Sequence, residues 1–128
     1  MKDTNFHHEA RPWGSYTLFV DNKPCSVKIL EISGKLSLQS HIYREERWHI
    51  ISGEVLMYLG SVRETLQEIK EQLREYRLKA GDDICIPRNY VHSMKNLAPQ
   101  PSLILEISEG EYREEDITRY EDIYGRVK

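Results

Sequence analysis

The sequence is poor in the residue patterns that mark several common protein classes. It has only two cysteines, Cys25 and Cys85, and neither has a CxxC partner, which argues against a disulfide framework, a zinc ribbon or a redox centre. Basic residues are not in surplus: 18 Lys and Arg face 21 Asp and Glu, and the net charge is -3. We therefore expect no nucleic-acid partner.

Long apolar runs are also missing. No stretch reaches the roughly 18 apolar residues that a membrane-spanning helix needs, and the first residues contain no apolar core of signal-peptide length. We therefore expect no membrane partner, a cytoplasmic location and reduced cysteines. A chain of 128 residues without an internal linker or repeat predicts a single domain over residues 1–128.

Most of the chain has the pattern of short strands separated by turns. The strand-like segments are rich in Ile, Val, Leu, Tyr and Trp, and Gly, Pro, Asn or Asp stand between them. The predicted strands are residues 15–20, 26–32, 35–41, 47–51, 55–59, 84–87 and 103–108. Frequent short strands indicate an antiparallel sandwich or barrel, so the predicted fold class is all-β.

Two segments depart from the strand pattern. In residues 62–76, apolar residues recur at the 3.6-residue spacing of an amphipathic helix, at Val62, Leu66, Ile69, Leu73 and Tyr76. We predict one short inserted helix there, with its charged face in solvent. In the tail, residues 110–128, the spacing of Ile117, Tyr120 and Tyr124 predicts a C-terminal helical or turn segment packed on the barrel.

A possible group of metal ligands begins in the segment between Gly34 and Gly53. Because side chains alternate between the two faces of a strand, Gln39 and His41 share a face. Glu46 follows a turn and returns toward the same point from the neighbouring strand. Trp48 then shares the face of Glu46, whereas His49 points outward.

A second segment, residues 81–96, supplies His92 about 50 positions later. Taken singly, each of these residues also fits a structural role, but the two glycine-anchored segments together favour a metal cage inside a barrel. Imidazole, carboxylate and amide ligands suit Zn, Mn, Fe, Co or Ni, and nothing in the set selects a soft metal.

Several strings along the chain resemble one enzyme family. They are RPWGSY at 11–16, LSLQSH at 36–41, REERW at 44–48, VH at 91–92 and EEDITRYEDIYGR at 114–126. The two ligand segments resemble the paired cupin motifs. The whole set resembles the type II phosphomannose isomerase (mannose-6-phosphate isomerase) domain, as found in bifunctional mannose-1-phosphate guanylyltransferase/phosphomannose isomerases.

The resemblance implies a cupin jelly-roll barrel with one divalent metal ion, zinc first and manganese, iron, cobalt or nickel as alternatives. It implies interconversion of mannose 6-phosphate and fructose 6-phosphate, with Gln39, His41, Glu46 and His92 as ligands. The sequence departs from the family at Tyr43, where a further histidine is usual, and at Arg88 and Asn89, where a glycine is usual. Asn tolerates the left-handed turn conformation, so we expect this turn to be kept.

The expected partner is a small-molecule sugar phosphate. Isomerisation needs a base, and Glu46 is occupied as a ligand, which leaves Tyr43, Lys28 or a metal-bound water. The phosphate needs cations, for which the candidates are Arg44, Arg11 and Lys28. Two alternatives stay open: another sugar-modifying cupin chemistry, and a non-catalytic sugar-phosphate-binding cupin. We expect a homodimer, because barrels of this type often bury an edge strand in a twofold interface.

Overall fold

The computed structural model describes residues 7–22, 25–111, 115–122 and 125. In chain order the elements are β1 (His7–Arg11), β2 (Gly14–Asn22), β3 (Cys25–Ile32), β4 (Leu38–Ser40), β5 (Arg44–Ser52), β6 (Glu54–Ser61), α1 (Leu66–Gln72), β7 (Arg74–Lys79), β8 (Asp83–Ile86), β9 (Tyr90–Asn96), β10 (Ser102–Gly110) and β11 (Thr118–Glu121). The strands form a six-stranded sheet, β1-β2-β3-β10-β5-β8, and a five-stranded sheet, β11-β4-β9-β6-β7. All pairs are antiparallel.

Both sheets contribute alternate side chains to a shared core, so the all-β jelly-roll prediction is confirmed. The fully buried apolar side chains come from strands of both sheets: Ile32, Ile50 and Ile104 from the first, Val55, Met57 and Met94 from the second. Strand β10 shows the alternation well, since Ser102, Ile104, Glu106 and Ser108 are buried and the residues between them are half-buried. This alternation fixes which side chains reach the barrel interior.

A tight hairpin in the RPWGSY string joins β1 to β2. Gly14 has a φ of 148°, and a Cβ at that position would lie 1.8 Å from the carbonyl oxygen of Glu31. Only glycine fits that approach. The hairpin brings Arg11 and Tyr16 to the same end of the barrel. Strand β1 was not predicted from the sequence.

The predicted helix is present but shorter than predicted. Helix α1 covers Leu66–Gln72, and its N-terminus is capped by Thr65, whose Oγ1 accepts a hydrogen bond from the backbone N–H of Glu68 at 3.1 Å. Residues 74–76 instead begin β7, because pairing with β6 satisfies their backbone groups. Among the described residues, no helix has the length and apolarity to cross a bilayer.

The C-terminal segment differs in part from the helical or turn segment that was predicted. A turn at Glu115 leads into strand β11, not into a helix, because β4 offers a sheet edge with which Thr118–Glu121 pair. Tyr120 packs beside the sheet, and its hydroxyl lies 2.9 Å from Ser40 Oγ. Tyr124 lies outside the described residues. Asn89 has a φ of 62°, so the left-handed turn predicted there is confirmed.

Candidate metal centre

Three of the predicted ligands meet inside the barrel, between the two sheets. His41 follows β4 and His92 lies in β9, opposite Gln39, whereas Glu46 comes from β5 of the other sheet. One ligand atom from each of the three lies within 4.8 Å of the others. His41 is 3% exposed, and His92 and Glu46 are each 1% exposed. All three side chains therefore expose almost no surface to bulk water.

The two imidazole rings are held so that the same nitrogen of each faces Glu46. His41 Nδ1 donates to the carbonyl oxygen of Asp116 at 2.7 Å, and His92 Nδ1 donates to that of Tyr90 at 3.2 Å. A carbonyl only accepts, so each Nδ1 carries a hydrogen and Nε2 is the nitrogen of each ring that can bind a metal. This is the arrangement that fixes metal-binding histidines.

The facing atoms form a candidate cation site. His41 Nε2 lies 3.0 Å and His92 Nε2 3.5 Å from Glu46 Oε1. Among the described residues, neither Glu46 Oε1 nor His92 Nε2 has a hydrogen-bond partner. His41 Nε2 is close enough to Glu46 Oε1 for a hydrogen bond, but the angles do not fit one. Buried polar atoms are rarely left so. Two nitrogens and one carboxylate oxygen fit a divalent transition metal or zinc.

The electrostatics of the site favour a charged Glu46 and a neutral His92. Burial raises the pKa of the Glu46 carboxyl, but attraction to His41, His92 and Arg44 outweighs burial and holds that pKa well below its ordinary value. Burial lowers the pKa of His92 to about 4, although the charge of Glu46 opposes the shift. At neutral pH, Glu46 is therefore a carboxylate and His92 is neutral.

The predicted fourth ligand, Gln39, lies beside the other three. Its Nε2 is 3.4 Å from His41 Nε2, and its Oε1 accepts a hydrogen bond from Ser37 Oγ at 2.5 Å. A half-turn of the amide exchanges the two atoms, and the Ser37 hydroxyl accepts as readily as it donates. The Gln39 oxygen can thus face the histidines while Ser37 holds the amide nitrogen.

Asp116 shapes the turn that carries His41. Its two carboxylate oxygens accept hydrogen bonds from the backbone N–H groups of Ile42 and Tyr43, both at 2.8 Å, and Asp116 is 6% exposed. Together with the carbonyl contact to His41, these bonds direct the ring inward and the next two side chains outward. Ile42 and Tyr43 are accordingly 53% and 40% exposed.

Tyr43, a candidate base, is therefore not brought together with the ligands. Its side chain is directed away from the barrel interior, and it does not line the cavity that contains Glu46. The predicted strand faces are confirmed elsewhere in this segment: Trp48 is buried, whereas His49 is half-buried on the outside and pairs with Asp83 at 2.5 Å. Trp48 Nε1 lies 3.4 Å from Glu46 Oε2, toward which it donates.

A cavity of about 150 Å³ opens beside the predicted ligands, and cationic side chains from four strands line it. They are Arg11, Lys28, Arg44 and Arg119. Arg44 is 9% exposed, and one of its terminal nitrogens lies 3.4 Å from His41 Nε2. Lys28 Nζ lies 4.8 Å from the centroid of the Tyr16 ring, and Arg11 donates to Glu9 at 2.6 Å. All three predicted phosphate-binding candidates thus face one cavity.

Sequence reasoning missed three residues of this site. Glu106 lines the cavity from β10, and its signal was a lone charge on the inward face of the apolar string LILEIS. Arg119 and Asp116 stand in the tail for which a helix or turn was predicted, so strand alternation could not place them. The register of β11 against β4 places Arg119, because Arg119 is opposite Gln39 and shares its face.

Solved structures with a similar fold place this architecture among known proteins. The capsular polysaccharide assembling protein CapF from Staphylococcus aureus superimposes with a TM-score of 0.78 at 16% identity, over 94% of this chain and 34% of that chain. Oxalate decarboxylase from Lactobacillus farciminis gives a TM-score of 0.72 at 20% identity, over 89% of this chain and 33% of that chain. At these identities the likeness shows the cupin fold alone.

Sequence relatives are more specific. The alginate biosynthesis protein AlgA of Pseudomonas putida is 33% identical over 129 residues, and the mannose-1-phosphate guanylyltransferase ManC of Salmonella typhimurium is 31% identical over 127 residues. These matches cover 98% and 96% of this chain but only 24% of each relative. The chain thus spans about a quarter of the length of these curated relatives.

One family model covers nearly the whole chain. The model described as "Mannose-6-phosphate isomerase C-terminal" matches residues 1–122, a range that contains all four predicted ligands and all four cavity cations. The chain therefore belongs to the mannose-6-phosphate isomerase C-terminal family.

Proposed function

We propose that this chain is a metal-dependent isomerase that interconverts mannose 6-phosphate and fructose 6-phosphate. The observation that carries the proposal is the convergence of the Nε2 atoms of His41 and His92 on the Glu46 carboxylate, at the wall of a cavity lined by cations. Family membership supports the substrate class.

The ligands of the proposed metal are Gln39, His41, Glu46 and His92. The bound metal supplies a Lewis acid for the sugar's carbonyl oxygen. Zinc is the first expectation, with manganese, iron, cobalt and nickel as alternatives, since the donor set suits each of them.

The cations of the cavity hold the phosphate in this proposal. Arg44, buried beside His41, offers a planar guanidinium that can bind two phosphate oxygens at once. Arg11 on β1 and Lys28 on β3 lie in the same six-stranded sheet as Arg44, so this sheet supplies all three phosphate-binding candidates. Lys28 is also one of the two side chains named as candidate bases from the sequence.

The direct test is turnover of mannose 6-phosphate by the purified chain after removal of metal and reconstitution with each of the five metals in turn. We expect formation of fructose 6-phosphate with at least one metal and none after chelation. Turnover restricted to a different phosphosugar would instead support another sugar-modifying cupin chemistry. Binding of mannose 6-phosphate without turnover under all five metals would support the non-catalytic binding protein.

A further inference from the structure

The cavity contains a second buried carboxylate in addition to Glu46. Glu106 lies in the middle of β10, is 7% exposed and lines the cavity. The residues two positions before and after it, Ile104 and Ser108, are also buried, so its inward direction follows from the strand alternation. Charged side chains are seldom buried to this degree unless they are paired with other polar groups.

The sheet register places Glu106 next to the ligand set without making it a member. Glu106 is opposite Lys28 on β3 and opposite Trp48 on β5. Directly opposite side chains of an antiparallel pair share a face, so a carboxylate, an ammonium and an indole form one row across the inner face of the sheet. Glu46, two residues before Trp48, begins the next row, where it faces the histidines.

We propose that Glu106 is the general base that moves a proton between C1 and C2 of the sugar phosphate. This inference rests on the proposed function. Of the described residues that line the cavity, two are carboxylates, and Glu46 is directed to the imidazoles. Tyr43 lies outside the cavity and Lys28 is assigned to the phosphate, so Glu106 is the group left to face C1 and C2 of the sugar.

The proton transfer is balanced with Glu106 as its only base. In open-chain mannose 6-phosphate, the Glu106 carboxylate takes the proton from C2, the C–H electron pair forms a C1–C2 double bond, and the carbonyl electron pair moves to O1. Glu106 then returns the proton to C1 while the proton on O2 passes to O1 and C2 becomes the carbonyl. The product is fructose 6-phosphate, and the carboxylate is restored.

The test compares Glu106→Gln with wild type and with a matched control on the same strand, Glu109→Gln. Glu109 is directed outward, where it lies 3.7 Å from Arg47. Four quantities are measured: metal content, the dissociation constant for mannose 6-phosphate by calorimetry, kcat, and incorporation of deuterium from D2O into the sugar. For Glu106→Gln we expect kcat and deuterium incorporation to fall at least a hundredfold, with metal content and substrate binding unchanged. Glu109→Gln should match wild type.

The outcomes separate this inference from the proposed function. A metal-loaded wild type that neither turns over mannose 6-phosphate nor exchanges its protons overturns both. Wild-type turnover with Glu106→Gln active to within tenfold overturns the role of Glu106 alone, as does loss of metal or of substrate binding in that variant. If Glu106→Gln does not fold, Glu106→Asp decides: a retracted carboxylate should lower kcat at unchanged metal content, and wild-type kcat overturns the inference.

Discussion

At the residue scale, backbone carbonyls decide what the two histidines can do. Each Nδ1 is bound to a carbonyl, of Asp116 for His41 and of Tyr90 for His92, so each Nε2 is free to act as a ligand. The Nδ1 of His49, which is half-buried on the outer face, instead lies 2.5 Å from the Asp83 carboxylate. The same residue type therefore has two different chemistries within one segment.

The contrast between His41 and His49 gives the first prediction. His41→Ala removes an imidazole that faces Glu46 at 3.0 Å, so the variant should lose its bound metal. His49→Ala changes a side chain that is 44% exposed on the outer face, so its metal content and activity should stay at the wild-type level. Metal per chain, measured by elemental analysis after dialysis, checks both. Equal loss in the two variants would contradict the assignment of the faces.

Arg44 gives the second prediction. If it binds the phosphate, Arg44→Ala removes a charge-assisted contact worth about 1.5 to 3 kcal/mol, and the KM for mannose 6-phosphate should rise about tenfold to hundredfold. Unphosphorylated mannose should be affected far less. Arg47→Ala is the matched control, because Arg47 lies on the outer face of the same strand and its side chain is 61% exposed.

Arg44 also contacts a ligand, so the measurement must separate two effects. Its guanidinium lies 3.4 Å from His41 Nε2, and metal content has to be measured in the same preparations. Equal losses with the phosphorylated and the unphosphorylated sugar would show that Arg44 supports the metal site rather than the phosphate.

At the element scale, helix α1 braces the strands that carry the ligands. Ile69 is 1% exposed and belongs to a cluster with Leu38 of β4 and Val91 of β9. These two residues precede Gln39 and His92, whose side chains point to the opposite face of the sheet. An ion pair of 2.5 Å between Lys70 and Glu121 ties the helix to β11. The helix thus supports the outer side of the sheet directly behind the site.

The third prediction measures that support. Ile69→Ala leaves a cavity between the helix and the sheet and should lower the free energy of unfolding by about 2 to 5 kcal/mol. Leu66→Ala, on the same helix but 38% exposed, should change it by no more than about 0.5 kcal/mol. Urea denaturation followed by circular dichroism gives both values. Equal stability of the two variants would show that the helix is not packed on the sheet.

At the scale of the whole molecule, the proposed metal joins the two sheets. Glu46 belongs to the six-stranded sheet, whereas His92 and His41 belong to the five-stranded sheet or to the turn that follows it. A metal that binds only the folded chain stabilises it by mass action, by about 2.7 kcal/mol when its free concentration is a hundred times Kd.

The fourth prediction follows from this linkage. Chelation should lower the Tm on the order of 10 °C, and the metal should restore it. His41→Ala is the control, because its Tm should not respond to the metal. Scanning calorimetry measures both, and a wild-type Tm that is independent of the metal would contradict the linkage.

The homodimer stays a prediction, and it is the fifth. Strand β8 is an edge strand of the six-stranded sheet, and next to it the outer face has a groove lined partly by Ile84, Leu105 and Ile107. Sedimentation equilibrium should give a mass of about twice 15.1 kDa for the chain. The mass of one chain at micromolar concentration would contradict it.

Local rules were sufficient for the parts of the site that lie on strands. Alternation placed Trp48 inside and His49 outside, and turn chemistry placed Asn89 in the left-handed region. Strand alternation and turn conformation both depend on residues that are adjacent in the sequence, so they can be predicted from it. The four proposed ligands came from this alternation together with the family resemblance.

The remaining features depend on partners distant in sequence. Whether Thr118–Glu121 become a strand depends on the open edge of β4, and that pairing is what brings Arg119 opposite Gln39 and Asp116 beneath His41. Glu106 acquires its position between Lys28 and Trp48 only from the register of three strands. Such pairings are decided by backbone hydrogen bonds and burial over the whole barrel. The sequence by itself determined the fold class, the inward faces of the predicted strands and the proposed ligands. Only the tertiary structure decided that Glu106, Arg119 and the carbonyl of Asp116 also surround these ligands.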